Sequence, residues 1–238
     1  MTHNVECVEW MRQQPDSIFD IILTSPPYNF DMPYSTYKDQ ITDYRTWTES
    51  WITHAIRLLK PQGRFIINTQ PRFTHNEPYH HWIHQIMEKN QLLWYGERIW
   101  QKNAISGYRG AAGSMGTPSK PYLWYSTEYV QIYSKGSTMR PTPRKQSLIT
   151  IQEQVAWARH HIWTIAPARQ RLHPAQMPEE LATRLLKLFA RQGDCVFDPF
   201  AGAGTTLLTA HKLGLDSMGC ELDVEYCALI EDKINAIK

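Results

Sequence analysis

Continuous apolar runs alternate along the chain with longer segments whose apolar residues recur every three or four positions. The runs IFDIILT at 18–24 and RFIINT at 64–69 are typical of strands buried on both faces of a parallel sheet. Between them, apolar residues at helical spacing predict a helix over 47–59, and the Lys-Pro-Gln-Gly that follows ends it. This alternation predicts an α/β fold with a doubly wound, mostly parallel sheet.

The alternation continues to the C-terminus and predicts one domain over residues 1–238, a length typical of a single domain. Pro178 is expected in the first turn of one helix, where a missing N–H does no harm. The remaining predicted elements are, in chain order, a helix at 79–90, a strand at 92–100, a strand at 128–135, a short helix near 151–159, a helix at 177–194, a strand from 195, a helix after a glycine turn, a strand from 216 and a closing helix from 224.

Two segments interrupt this alternation. Residues 103–121 are rich in Gly, Ser and Pro, which predicts a long loop, and a loop of that length inside a domain is usually functional or mobile. Residues 136–172 are irregular in pattern and basic, with six Arg and Lys residues against one Glu over 140–172. This local excess suits contact with phosphates, and a solvated surface loop is the alternative.

Composition limits the class of protein. Of the 238 residues, 42% are hydrophobic and 20% are charged, so the chain can bury a core and is not of disordered composition. No apolar run is long enough to cross a bilayer, and no basic-then-apolar leader begins the chain, so we expect a cytoplasmic protein without a membrane partner. The four cysteines lack metal-ligand spacing, so we expect no metal. The net charge of +2 does not by itself indicate a polyanionic partner.

The segment VFDPFAGAGTT predicts a strand that runs into a Gly-x-Gly turn and then a helix. Gly202 and Gly204 would let the backbone approach a ligand, and the start of the helix would offer free N–H groups. The next predicted strand ends at Glu221, where an acid can bind both ribose hydroxyls of a nucleoside. A tight turn with two packing glycines and a surface glutamate is the alternative.

Two details distinguish between nucleoside cofactors. Leu207 occupies the position of the third glycine in a dinucleotide-binding fingerprint. Asp198, at the end of the strand, would repel a pyrophosphate but suits a cation such as the amino group of a methionine moiety. The turn therefore favours S-adenosylmethionine over NAD.

The stretch TSPPYN directly follows the first predicted strand. Ser25, Pro26, Pro27 and Tyr28 would form a rigid polar and aromatic corner at a strand end, where ligands of doubly wound sheets bind. Alone, this sequence is also compatible with an ordinary turn after a strand. Together with the glycine turn and the acid downstream, it predicts a catalytic site.

Together, TSPPYN and DPFAGAGTT resemble the S-adenosylmethionine-dependent DNA amino-methyltransferases of restriction–modification systems, which methylate N4 of cytosine or N6 of adenine. HPAQMPEEL and TEYVQIYSKG are similar to further segments of that family. The catalytic motif precedes the cofactor motif, which is the circularly permuted order called the β class. The resemblance spans nearly the whole chain and implies a Rossmann-like methyltransferase fold.

The resemblance implies a role for each residue of the first motif. Ser25 Oγ and the Pro26 carbonyl would accept the two N–H groups of the target amine, Pro27 would help to hold them rigidly, and Tyr28 would stack on the flipped-out base. Within the family, serine in first position favours N4-cytosine, whereas aspartate or asparagine favours N6-adenine. We therefore predict an N4-cytosine DNA methyltransferase. The alternatives are N6-adenine methylation, an RNA or small-molecule methyltransferase, and a non-catalytic DNA-binding protein.

The second motif and its surroundings are expected to bind S-adenosylmethionine. Glu6 takes the position of a family aspartate that contacts the adenine, and Glu in place of Asp departs from the family pattern. His173 would contact the cofactor, or else cap the helix that follows it. The predicted cofactor-binding residues are Asp198, Phe200, Gly202, Gly204, Thr205, Glu221, Glu6 and His173.

The resemblance also implies double-stranded DNA as the substrate. We predict that 103–121 and 136–172 are target-recognition insertions, with flexible charged loops as the alternative. A separate cognate restriction endonuclease and a homodimer are left open. The predicted DNA-binding residues are Arg109, Lys120, Arg144, Lys145 and Arg159.

Overall fold

The chain folds around a mixed β-sheet with helices on both faces. The computed structural model describes residues 1–29, 41–70, 78–102, 114, 116–119, 121, 126–168 and 176–237. Within these residues the strands are β1 Thr2–Asn4, β2 Phe19–Thr24, β3 Leu59–Thr69, β4 Leu92–Lys102, β5 Thr127–Lys135, β6 Ile162–Ile165, β7 Cys195–Asp198 and β8 Asp216–Glu221.

The sheet has the strand order β1-β8-β7-β2-β3-β5-β4-β6. Only β5 runs against its neighbours, since it pairs antiparallel with β3 and β4, while the other described pairs are parallel. This confirms the predicted α/β class with a mostly parallel sheet. Because seven strands point the same way, their carboxyl ends share one edge, which we call the carboxyl edge.

Helices cover both faces of this sheet. One apolar cluster joins α1, α2 and α3 to one face, and a second joins α5 to the other, with α6 beside it. The helices are α1 Cys7–Gln13, α2 Tyr44–Leu58, α3 Tyr79–Lys89, α4 Ile151–Ala158, α5 Glu179–Phe189, α6 Thr205–Lys212 and α7 Val224–Ile237. No helix in the described ranges is both long and apolar enough to cross a bilayer.

The central strand β2 is buried along its whole length, as a continuous apolar run predicts. Ile22 packs into the cluster under α1 and α2, whereas Ile21 and Leu23 pack into the cluster under α5. β2 pairs with β3 on one side and with β7 on the other. The strand is therefore a fixed support for the Ser-Pro-Pro-Tyr sequence at its end.

The structure corrects several predicted boundaries. Residues 136–168 are not simply irregular, because they contain a short 3-10 helix at Arg144–Gln146 as well as α4 and β6. α5 is shorter than the predicted helix at 177–194, and Pro178 precedes it with extended ψ instead of lying in its first turn. Most of the predicted loop at 103–121 lies outside the described residues.

Arg140 has a structural role at the opposite, amino edge of the sheet. Its guanidinium donates to both carboxylate oxygens of Asp194, at 2.6 and 2.7 Å, and to Asp20 Oδ1 at 3.0 Å. Its side chain is only 7% exposed. Asp194 precedes β7 and Asp20 lies near the start of β2, so Arg140 clamps the chain to the amino edge. It is not available as part of a basic surface.

Candidate active site

The Ser-Pro-Pro-Tyr corner leaves the carboxyl end of β2 and is held by two neighbouring contacts. The hydroxyl of Tyr44, at the start of α2, donates to the carbonyl oxygen of Pro27. Asn29 has φ of 58°, a left-handed conformation that Asn tolerates. Its side chain donates to the Ile41 carbonyl and accepts from the Ile41 N–H. These hydrogen bonds fix the backbone where it leaves the Ser-Pro-Pro-Tyr sequence.

A buried hydrogen bond connects the two motifs. Thr24, the last residue of β2, donates its hydroxyl to Asp198 Oδ1 at 2.7 Å. The same oxygen accepts the Phe200 N–H at 3.0 Å, and both Thr24 and Asp198 are buried. Parallel pairing of β2 with β7 brings these residues together although they are 174 positions apart. Asp198 was predicted from the sequence, whereas Thr24 was not.

The glycine turn has the geometry that its sequence predicts. Gly202 and Gly204 have φ of 53° and 81°, and Gly204 caps the start of α6. A Cβ on Gly204 would lie 2.4 Å from Ile230 Cγ1, so this position needs glycine for space as well as for conformation. Glu221 accepts the Gly202 N–H at 2.7 Å, which ties the turn to the end of β8.

One cleft joins the two motifs. Five residues that were predicted from the two motifs line it, namely Ser25, Asp198, Phe200, Gly202 and Thr205. Ala201, Ala203, Thr206, Gln176 and Met177 complete the lining. The predicted catalytic serine and the predicted cofactor residues therefore face the same space.

Burial makes ionisation unfavourable for Asp198, which lines the cleft, and for Glu221, which lies at the end of β8 and is not among the described lining residues. Burial raises the pKa of Asp198 to about 6, although hydrogen bonds from Thr24, Thr206 and the Phe200 N–H act in the opposite direction. Burial also raises the pKa of Glu221, opposed by backbone N–H groups that include those of Asp223 and Gly202. A cationic ligand beside Asp198 would favour its ionised form. The site therefore suits a ligand that carries an amino group and ribose hydroxyls.

The amino-terminal elements reach the same edge. β1 pairs with β8 so that Asn4 lies opposite Glu221, and Glu6 follows directly. Glu6 is the N-cap of α1, where its carboxylate accepts the Glu9 N–H at 2.8 Å. This capping bond explains why an acidic residue is favourable at position 6. The contact of Glu6 with a cofactor stays a prediction. His173 lies outside the described residues.

Tyr28 lies in a buried polar cluster instead of offering an open face. Its side chain is 5% exposed, and its hydroxyl oxygen lies 2.7 Å from Ser25 Oγ and 3.1 Å from Glu128 Oε2. Burial, and then the charge of Glu128, raises the pKa of Tyr28 well above its usual value, so the phenol keeps its proton. Stacking of a base on Tyr28 would require the ring to become exposed.

The other members of this cluster come from distant parts of the chain and were not identified from the sequence. Lys102 Nζ lies 2.5 Å from Glu128 Oε1. Asn68 Nδ2 donates to Glu128 Oε2 and lies 3.3 Å from the Tyr28 hydroxyl. Glu128 is part of TEYVQIYSKG, whose similarity to a family segment was the only signal in the sequence.

Three of the predicted DNA-binding residues lie within the described ranges, at two places in the fold. Arg144 and Lys145 are exposed, and the neighbouring Gln146 accepts the N–H of Gln192, which lies just before β7 at the amino edge. Arg159 is exposed at the end of α4, just before the outer strand β6. Arg109 and Lys120 lie outside the described residues.

Comparison with known proteins identifies the family. A family model described as DNA methylase, N6_N4_Mtase, matches residues 19–232. The Type II methyltransferase M.ScaI of Streptomyces caespitosus is 24% identical and aligns with 99% of this chain and 81% of its own length. The Type II methyltransferase M.HpaI of Haemophilus parainfluenzae is 22% identical over 96% of this chain and 72% of its own.

Solved structures share the fold. The putative DNA modification methylase TTHA0409 of Thermus thermophilus, crystallised with S-adenosyl-L-methionine, has a TM-score of 0.75 and 26% identity over 99% of this chain and 93% of its own. The cytosine-N4-specific PvuII DNA methyltransferase has a TM-score of 0.72 and 18% identity over 99% of this chain and 91% of its own. The chain belongs to the family of S-adenosylmethionine-dependent DNA methylases that modify exocyclic amino groups.

Proposed function

We propose that this protein transfers a methyl group from S-adenosylmethionine to N4 of cytosine, at a specific sequence of double-stranded DNA and with the base flipped out. The observation that carries the proposal is the cleft in which Ser25 meets Asp198 and the glycine turn. The hydrogen bond from Thr24 to Asp198 supports it, because it fixes the catalytic corner relative to the cofactor motif.

The two acceptors of the motif address the chemical difficulty of the reaction. An exocyclic amine is a poor nucleophile because its lone pair is delocalised into the ring. We propose that Ser25 Oγ and the Pro26 carbonyl accept its two N–H groups, so that the lone pair turns towards the bound cofactor. The cofactor, when bound, supplies an electrophilic methyl group on its sulfonium.

The residues around the glycine turn would hold that cofactor. Asp198 would face the amino group of the methionine moiety, and Glu221 would accept from the ribose hydroxyls. Each oxygen of the Glu221 carboxylate already accepts one backbone N–H, and each has a further lone pair available. Gly202 and Thr205 line the cleft, and Gly204 keeps the turn tight. Contacts from Phe200, Glu6 and His173 complete the proposed set.

The choice of cytosine rests on Ser25 as the first residue of the motif. The fold likeness to a cytosine-N4-specific enzyme is compatible with this choice. Tyr28 is proposed to contact the flipped base after its ring becomes exposed. A separate restriction endonuclease and a homodimer are further predictions, which size measurement of the purified protein and a search for sequence-specific cleavage would test.

Analysis of the methylated nucleoside tests the function directly. Purified protein is incubated with labelled S-adenosylmethionine and mixed-sequence duplex DNA, and the digested nucleosides are identified by mass. N4-methylcytosine is expected. N6-methyladenine would keep the enzyme class but refute the choice of base, and methylation of RNA alone would refute the substrate.

A Ser25→Ala variant provides the matched control. It should lose most methyl transfer while its affinity for S-adenosylmethionine, measured by calorimetry, stays within about twofold of wild type, because the change removes an acceptor and no cofactor contact. Full activity of Ser25→Ala would refute the proposed role of the serine.

A further inference from the structure

A buried polar cluster lies directly behind Ser25, and the proposed function assigns it no role. We call Tyr28, Asn68, Lys102 and Glu128 the Glu128 cluster. Glu128 is 4% exposed and its two oxygens have different partners. Oε1 meets the Lys102 ammonium at 2.5 Å and accepts from Gln70 Nε2 at 3.3 Å. Oε2 accepts from the Tyr28 hydroxyl at 3.1 Å and from Asn68.

The donors and acceptors of this cluster fix the direction of its hydrogen bonds. A carboxylate only accepts, so Tyr28 must donate its single hydroxyl hydrogen to Glu128. The nearby alternative for that hydrogen is the backbone carbonyl of Asn68 at 3.4 Å, which also only accepts. In either case Tyr28 has no hydrogen left for Ser25. The 2.7 Å contact between their hydroxyls therefore requires Ser25 to be the donor.

This direction determines what Ser25 presents to the cleft. Its hydrogen points to Tyr28, and Asn68 Nδ2 approaches its Oγ as a donor at 3.5 Å. One further lone pair of Oγ can therefore accept a donor such as an amine N–H. If these hydrogen bonds ran in the opposite direction, Tyr28 would donate to Ser25. The Ser25 hydrogen would then point into the cleft, towards the hydrogens of the amine. We propose that Glu128 is a positioning residue that acts through Tyr28 to make Ser25 a hydrogen-bond acceptor towards the target amine. The inference rests on the proposed role of Ser25.

Lys102 and Asn68 fix which groups donate and which accept in the Glu128 cluster. The ammonium of Lys102 can only donate, so it requires an oxygen on its side of residue 128. Asn68 Nδ2 also donates, both to Glu128 and towards the Tyr28 hydroxyl at 3.3 Å. The Tyr28 hydroxyl thus accepts from Ser25 and Asn68 and donates its single hydrogen to Glu128.

Glu128→Gln tests the inference without changing the shape of the side chain. Lys102 and Gln70 keep the amide oxygen on their side, so the amide nitrogen faces Tyr28 and donates to it. The Asn68 amide, which donates to this position in the wild type, turns its own oxygen towards that nitrogen. Tyr28 then donates to Ser25, and the Ser25 hydrogen turns into the cleft. We expect kcat to fall by about tenfold or more. The dissociation constant for S-adenosylmethionine, measured by calorimetry, should change by less than about twofold.

A second substitution should rescue the first. Replacing Lys102 by Met in the Glu128→Gln variant removes the ammonium, which can only donate, from that side of the amide. The other neighbour on that side, Gln70, contacts Oε1 at 3.3 Å through an amide that can either donate or accept. The amide can then rotate and offer its oxygen to Tyr28, which restores the original direction. We expect kcat of Lys102→Met/Glu128→Gln to exceed that of Glu128→Gln by about threefold or more. A purely structural role of Glu128 predicts instead that the double variant is no better than the single one.

Two further variants complete the experiment. Glu97→Gln makes the same change on the neighbouring strand β4 and should retain wild-type kcat. Glu97 lies near His161 and outside the Glu128 cluster.

Tyr28→Phe keeps the aromatic ring but removes the hydroxyl that connects Glu128 to Ser25, so its kcat should also fall. If Glu128→Gln does not fold, as judged by thermal unfolding, Tyr28→Phe decides, and a wild-type kcat would overturn the inference.

The outcomes separate this inference from the proposed function. Full activity of Ser25→Ala would refute the role of the serine, and with it the basis of the inference. If Ser25→Ala is inactive while Glu128→Gln is fully active, the inference alone is wrong. It is also wrong if Glu128→Gln is impaired and the added Lys102→Met gives no rescue.

Discussion

At the scale of single residues, Asp198 combines burial with a proposed cationic ligand. Its pKa is raised to about 6, mainly by burial, so the free protein takes up a proton there as the pH falls below about 6. A protonated Asp198 attracts an ammonium less. We predict that the affinity for S-adenosylmethionine falls below pH 6, by up to about tenfold per pH unit. Calorimetry between pH 5 and 8, at intervals of about half a unit, would measure this slope.

Asp198→Asn should weaken binding at pH 8 and flatten the slope below pH 6. Its Oδ1 can still accept from Thr24 and from the Phe200 N–H, so the turn keeps both bonds. Asp216→Asn, an exposed change at the start of β8, is the control and should behave as wild type. An unchanged slope in Asp198→Asn would show that another group, such as Glu221, governs the pH dependence.

The same residue affects the stability of the free protein. The pKa of Asp198 is about 6 in the folded state against an ordinary value of 3.8, so its contribution to stability is present below about pH 4 and lost as the pH rises through 6. The difference between these two pKa values corresponds to about 3 kcal/mol in the free energy of unfolding. Asp198→Asn should therefore unfold at a higher temperature than wild type at pH 8, with no difference below pH 4.

The sequence identifies residues that belong to contiguous motifs and misses those recruited from elsewhere. Ser25 and Asp198 belong to short motifs, and the adjacent residues of each motif allow its chemistry to be predicted. Thr24 acquires its role only through a partner 174 positions away, and Glu128 acts on Tyr28 across 100 positions. Such pairs depend on which strands lie side by side, which local pattern does not specify.

At the scale of elements, the glycine turn before α6 depends on one close contact. Gly204→Ala places a Cβ where φ is 81° and where Ile230 Cγ1 would be 2.4 Å away. Ile230 is fully buried on α7 and has little room to move. We predict a loss of about 2–4 kcal/mol in the free energy of unfolding, measured with urea, and weaker cofactor binding.

Gly136→Ala separates strain from the clash in this prediction. Gly136 follows β5 with φ of 77°, but its added Cβ would meet no atom of the described residues within 4 Å. This variant should lose only about 1 kcal/mol. If both variants lose equally, the contact with Ile230 does not contribute and conformation alone explains the need for glycine at 204.

The strands that the sequence did not predict lie at the two outer ends of the sheet. β2 is an apolar run buried on both faces, and its sequence alone identifies it. β6 has four residues that alternate between exposed and buried, and β1 has three, so neither gives a pattern distinct from a loop. Both lie at the outer ends of the sheet, where a strand is defined mainly by pairing with a single neighbour.

At the scale of the whole molecule, Arg140 joins three parts of the chain at the amino edge. Its bonds to Asp194 and Asp20 connect the segment after β5 with the starts of β7 and β2. Arg140→Met would leave two carboxylates without this partner. We predict a loss of about 3 kcal/mol in the free energy of unfolding by urea, because two buried carboxylates lose the guanidinium they share and keep only the more exposed Lys60 and Arg191 as charged neighbours.

Arg191→Met is the matched control for Arg140. Arg191 lies close by and approaches Asp194 at 3.5 Å, but its side chain is 30% exposed. The control should lose about 1 kcal/mol or less. Equal losses in the two variants would mean that the buried clamp by Arg140 contributes no more than a partly exposed ion pair.

The two edges of the sheet also divide the basic residues. The carboxyl edge holds Ser25 and the cleft, whereas Arg144 and Lys145 lie beside the connection from α5 to β7 at the amino edge. Arg159 precedes the outer strand β6, which pairs with the carboxyl-terminal residues Ile99–Lys102 of β4. A duplex that delivers a base to Ser25 approaches the carboxyl edge and has no need to contact the amino edge.

The salt dependence of DNA binding distinguishes these positions. Each phosphate contact contributes about 0.9 to the slope of log K against log salt concentration, because binding releases condensed counterions. We predict that Arg159→Gln lowers the slope by about this amount, whereas Arg144→Gln/Lys145→Gln leaves it unchanged. Binding to a fixed duplex is measured at several salt concentrations. A lower slope for the double variant would mean that DNA also contacts the amino edge, and the basic stretch would then be one continuous binding surface.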